Sequence, residues 1–91
     1  MSRLSYELTL FVTGATSRSM QAVSNVRSFC DRELKGAYDL EIVDLYEHPD
    51  RAQPANVIVS PTLVRHEPKP VRLLVGDMSD GERLNATVKV T

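Results

Sequence analysis

Apolar and polar positions alternate at the start of the chain. Leu4, Tyr6, Leu8, Leu10 and Val12 are separated by Ser5, Glu7, Thr9 and Phe11. This period of two predicts a strand over 4–12 with one apolar face. Phe11 interrupts the polar side, so the far end of the strand is expected to be covered on both faces. Thr13-Gly14-Ala15-Thr16 ends it as a turn. The period then changes. Met20, Val23, Val26, Phe29, Cys30 and Leu34 fall three or four apart, which predicts a helix over 17–35, capped by Ser17. Gly36 stands where helices often end left-handed. Tyr38, Leu40 and Ile42 alternate with Asp39 and Glu41, and Val43 and Leu45 follow, a second strand. A strand–helix–strand unit implies parallel strands with a right-handed crossover.

Residues 47–56 carry no clear period. Pro49 can open a short helix at its first position, and Pro54 would end it. Two apolar runs follow, Val57–Val59 with Leu63–Val64, and Val71–Val75. Between them His66-Glu67-Pro68-Lys69-Pro70 reads as a hairpin connection. Pro61 lacks a ladder donor, so it belongs at a strand start, an edge or a bulge. The C-terminus sends two signals. Ser79-Asp80-Gly81-Glu82 matches a helix capping box and predicts a helix from about 80. Asn85 to Thr91 is β-branched and alternating, which favours a strand.

The order is therefore β-α-β-α-β-β-α, a thioredoxin-like α/β arrangement whose sheet has a parallel and an antiparallel half. The 91 residues are expected to form a single domain with a small core. Eleven basic residues are matched by twelve acidic ones, so nothing points to nucleic acid. No apolar run is long enough for a membrane span, and no signal peptide is visible; a cytoplasmic location is expected.

Candidate chemistry is sparse. One cysteine excludes an internal disulfide framework and any CxxC centre. A redox thiol of this fold sits between the first strand and first helix, where this chain has Thr13–Thr16 and no sulfur. Cys30, on the helical stripe, reads as a core residue. His48 and His66 are two isolated loop histidines, read as solvated surface and not as a metal site. Asp39, Glu41, Glu47 and Asp50 read as the polar side of a sheet edge. No Ser/His/Asp set or phosphate loop is present. No cofactor and no enzyme activity are expected. Arg65, Lys69 and Arg72 cluster around the hairpin, either blunting an edge or forming a basic patch for an acidic partner.

Five segments in order resemble the KaiB family, the small clock proteins of cyanobacteria and their bacterial relatives. Leu10-Phe11-Val12-Thr13-Gly14 is similar to the family's L-Y-V-A-G, and Gly36 to Leu45 to its G-x-Y-x-L-x-V-I-D-V. His48-Pro49 stands where the family has N-P. Ser60-Pro61-Thr62-Leu63 is similar to T-P-T-L. Pro68, Pro70-Val71-Arg72 and Gly76-Asp77-Met78-Ser79 are similar to P-x-P-V-R-x-x-x-G-D-L-S. The chain departs from the pattern in lacking the longer acidic tail and in having Pro54 inside the family's short helix. It also has Leu73 after Arg72, and Thr87 and Lys89 where clock members have Gly and Asp.

The resemblance implies a regulator that binds a KaiC-like hexameric ATPase and modulates its phosphorylation cycle. KaiA, a SasA-like histidine kinase and self-association as a dimer or tetramer are further implied partners. It also implies a metamorphic chain: residues 1–46 fixed, and 47–91 taking either the thioredoxin-like form or a ground-state fold of order β-α-β-β-α-α-β. Tyr6, Pro61, Arg65, Lys69, Pro70, Arg72, Thr87 and Lys89 are the implied partner-binding or fold-switch residues, with Tyr6 half-buried and the Ser60–Pro61 bond cis. Two other readings remain at this stage: a thioredoxin-fold redox or glutathione-binding protein, and a free-standing SasA-like sensor module.

Overall fold

The computed structural model describes residues 5–54, 57 and 61–89. Strand β1 (Tyr6–Val12) leads into helix α1 (Ser17–Phe29), which continues as a π-turn over Cys30–Leu34. Strand β2 (Tyr38–Asp44), a 3-10 turn (Pro49–Arg51), strands β3 (Thr62–Glu67) and β4 (Arg72–Val75) and helix α2 (Gly81–Val88) follow. The sheet order is β2-β1-β3-β4. β1 and β2 are parallel, Leu8 beside Leu40 and Leu10 beside Ile42. β1–β3 and β3–β4 are antiparallel. This is the first of the two expected orders, with a single 3-10 turn as its short helix.

Period two decides what each strand buries. Tyr6, Leu8, Leu10 and Val12 face the helices, with Leu63 of β3 and Leu74 of β4. Ala22, Val26, Phe29, Cys30 and Leu34 come from the first helix, and Leu84 and Val88 from α2. Phe11 points the other way and packs with Val43, Val57 and Val64, beneath Leu45 and Ala52. The far end of β1 is thus covered on both faces, as its pattern predicted. Over β4 the second face is open, and Leu73 and Val75 are exposed.

Several boundaries differ from expectation. Thr16, not Ser17, caps α1: its backbone is extended and its side chain accepts from the Ser19 amide at 3.1 Å. Ser19 and Ala22 fill the buried stripe of the first turns, and Met20, one position round the helix, is exposed. Lys35 and Gly36 both take positive φ at the helix end, 48° and 84°. In α2 the cap is Asp80, one residue beyond the predicted Ser79; it accepts from the amides of Glu82 and Arg83. The helical signal prevails through Val88, and backbone extension begins at Lys89. Pro49 does open its turn, and Pro61 directly precedes β3. The Ser60–Pro61 bond and the run Ile58–Val59 lie outside the described residues. Two other bonds are cis, Glu67–Pro68 and Lys69–Pro70.

Candidate partner-binding face

The β3–β4 hairpin and the end of α2 meet around one depression of about 290 Å³. Arg65, Lys69, Pro70, Arg72 and Lys89 line it with Asn85 and Ala86. Five of the eight residues singled out in the sequence are brought together here. Thr87 adjoins them through its carbonyl. Tyr6 lies in the core, more deeply than the half-burial expected of it. Pro61 is buried at the base of the hairpin, where its carbonyl accepts from the Gly76 amide at 3.0 Å.

Arg65 departs most from expectation. It is only 3% exposed, so it is not part of a surface patch. Its strand register explains this. Arg65 sits opposite Leu8 on β1 and points to the helical face, beneath α2. One guanidinium nitrogen donates to the Val88 carbonyl at 3.0 Å and reaches the Thr87 carbonyl at 3.4 Å. The other donates to the Pro70 carbonyl at 2.7 Å. The last carbonyls of a helix have no partner within it and carry partial negative charge. A buried cation is a matching cap, and it binds the hairpin to the helix in the same stroke.

The remaining cations stay at the surface. Lys69 meets Glu67 at 2.7 Å, and Lys89 meets Glu33 of the π-turn at 3.3 Å. The Glu33 carboxyl is held below its ordinary value by Arg32 and then by Lys89. Arg72 is exposed beside Arg65 in the hairpin register. Among the described residues the charged side chains lining the depression are all basic, and Glu67 and Glu33 pair with two of them, Lys69 and Lys89, from outside its lining.

The place where a redox thiol would lie is a hydrogen-bonded latch. The Asp44 carboxylate accepts from the amides of Gly14, at 3.0 Å, and Tyr46, at 2.9 Å. These bonds hold its carboxyl below the usual range. Gly14 has φ +67°, and a Cβ there would lie 3.2 Å from the Tyr46 ring. Cys30 is buried, and burial pushes its thiol up to about 11. It is a poor nucleophile near neutral pH. His66, expected as solvated surface, is half-buried and shares a 2.9 Å hydrogen bond with Thr9. Among the described residues no group of three or more His, Cys, Asp or Glu could hold a metal ion, and no helix is long and apolar enough to cross a membrane.

Sequence reasoning missed the contacts that span long separations. Asn25 of α1 donates to the Asp77 carbonyl at 2.9 Å, tying the β4–α2 connection to the first helix. Met78, buried in that connection, takes a left-handed φ of 64°. Glu33 was not seen as the partner of Lys89. No local pattern marks any of these pairs.

Comparison with known proteins agrees with this architecture. The KaiB domain family matches residues 9–90. The chain is 39% identical to the circadian clock protein KaiB3 of a Synechocystis strain, over 85% of this chain and 76% of that protein. It is 37% identical to the circadian clock oscillator protein KaiB of Prochlorococcus marinus strain MIT 9312, over 91% and 79%. Among solved structures, the N-terminal domain of Synechococcus elongatus SasA matches with a TM-score of 0.76 at 19% identity, covering 93% of this chain and 84% of that one. The Deadhead thioredoxin of Drosophila melanogaster matches with a TM-score of 0.71 at 16% identity, over 90% and 76%. These two likenesses establish a thioredoxin-like fold. With matching motifs, sheet order and relatives over most of its length, the chain belongs to the KaiB family of circadian clock proteins.

Proposed function

We propose that this chain is a regulatory binding protein of a KaiC-type hexameric ATPase and alters its phosphorylation and ATPase cycle without catalysing a reaction of its own. One observation carries the reading: in a member of the KaiB family, α2 is formed and clamped by Arg65 against the hairpin, with a basic depression beside it. The partner meets the hairpin and the end of α2 through Lys69, Arg72 and Lys89. KaiA and a SasA-like kinase are the further partners this reading names. Residues 47–91 are the half that exchanges folds, and residues 1–46 are the constant half. Such exchange requires two packings within a few kcal/mol of each other.

The test is a titration of the chain into a KaiC-type hexamer, with binding followed by sedimentation and ATP hydrolysis by phosphate release. The expected result is a complex and a changed hydrolysis rate. Absence of a complex at about 100 µM chain, weaker than a micromolar affinity by two decades, overturns the proposal. A disulfide reductase assay on the same sample is expected to show no turnover, because the single cysteine, Cys30, is buried and lies on the first helix outside the Thr13–Thr16 turn. Turnover in that assay restores the redox reading.

A further inference from the structure

We infer that the depression between the hairpin and α2 is a phosphate-binding site, built by Arg65 and Arg72. It shares a face with the proposed ATPase contact but does not rest on that contact. Arg65 is buried and lines the depression. Among the described residues no carboxylate pairs with it. Carbonyls accept from its two terminal nitrogens, but its Nε–H is buried without an acceptor. Buried charges are ordinarily paired, and a buried donor left without a partner is costly. The Nε edge of a guanidinium is also one of the forks that grip two oxygens of a phosphate.

The strand register supplies a second, independent observation. Arg72 lies directly opposite Arg65 across the hairpin. Like charges at opposed cross-strand positions repel. Arg72 is exposed, lines the same depression and, among the described residues, has no ion-pair partner. Lys69 and Lys89 also line it, and each is already paired, with Glu67 and Glu33. Four cations offset by two carboxylates leave two positive charges. A phosphate group carries about −1.5 to −2 near neutral pH, whereas one carboxylate would leave a cation uncompensated. The charge count therefore selects phosphate. Bound between the two guanidinium groups, it relieves their repulsion and gives Nε–H an acceptor, with the Asn85 amide as a further donor. Nε is closed to solvent in the free chain, so its guanidinium shifts as the ligand enters. A depression of about 290 Å³ has room for a phosphoryl group and part of whatever carries it.

The test is a titration of inorganic phosphate into isotopically labelled chain near neutral pH, with sodium chloride keeping ionic strength constant. The expected result is a saturable shift of the Arg65 Nε–H resonance and of the Arg72 and Asn85 amides, with a dissociation constant on the order of 1 mM. Arg72→Ala, at an exposed site, is expected to weaken binding about tenfold with unchanged circular dichroism. Arg51→Ala removes an equal charge from the other face of the sheet and is expected to leave binding unchanged. Acetate is expected to bind about tenfold more weakly than phosphate, lacking the second charge. O-phosphoserine separates the two sources of the ligand. Tighter binding than inorganic phosphate assigns the site to a carried phosphoryl group, and equal binding assigns it to the free ion. No saturable shift up to about 20 mM phosphate, well above the expected constant, overturns the inference. So does acetate that binds as tightly, or a folded Arg72→Ala variant that binds as well as wild type. The hexamer is absent from this titration, so its failure leaves the ATPase reading standing, and failure of the ATPase titration leaves this site standing.

Discussion

Arg65 concentrates the energetics of the C-terminal half in one side chain. Its guanidinium satisfies the carbonyls of Pro70, Thr87 and Val88, adding a buried polar tie between the hairpin and α2 to the apolar packing of Leu84 and Val88 on Leu63 and Leu74. Arg65→Met keeps the aliphatic bulk and leaves these carbonyls without their cation. The expected loss is about 2–3 kcal/mol, the scale for hydrogen bonds to a charged group, read from the denaturation midpoint. Lys69→Ala, at an exposed ion pair, is expected to change stability by less than about 1 kcal/mol. Arg65 also shows where legibility in the sequence ended. Its charge was visible, but its direction was not, because period two assigns a face only once the register against Leu8 is known. The same holds for His66 and Thr9, which lie 57 residues apart in the chain.

Carboxylates give the residue scale its pH dependence. Asp44 is held below its ordinary value of 3.8 by the Gly14 and Tyr46 amides, and Glu41 below 4.5 by Arg51. A carboxyl depressed by folding contributes stability above its unfolded value, and that contribution is lost as pH falls through the folded value. Stability is therefore expected to decline on acidification below about 4. Asp44→Asn, followed by urea titrations at several pH values, is expected to flatten that decline. For Cys30 the sign is opposite. Its raised value means that stability is complete below the ordinary thiol value of 9.0 and is lost as pH rises toward about 11.

Among the elements, α2 is the one with two signals in its sequence. Asp80 caps it, and Leu84 and Val88 anchor it in the core, so tertiary contacts settle what propensity left open. Thr87 is the least committed helical residue, only partly buried and β-branched. Thr87→Ala is expected to stabilise α2 by about half a kcal/mol, the span of helix propensities. Asp80→Ala is expected to cost about 1 kcal/mol by removing the cap. Both are read from thermal melts with helical shifts at 81–88. Strong periods made β1, β2 and the first helix legible. The cap positions were less so, because Thr16-Ser17 and Ser79-Asp80 each offer two adjacent capping residues. Only the backbone angle at each chooses between them.

At the scale of the whole molecule, β1 joins the two halves, pairing in parallel with β2 and antiparallel with β3, while Leu63, Leu74, Met78, Leu84 and Val88 share one core with the first helix, and a few polar ties add to this packing. These are the Arg65 clamp, the Asn25–Asp77 bond and the Lys89–Glu33 pair. The most direct measurement is backbone chemical shifts of isotopically labelled chain over 62–89, recorded free and with the KaiC-type hexamer. The account predicts helical shifts at Gly81–Val88 and strand shifts at Thr62–Glu67 and Arg72–Val75 in the bound chain. Extended shifts over 85–89 in the bound chain would contradict it.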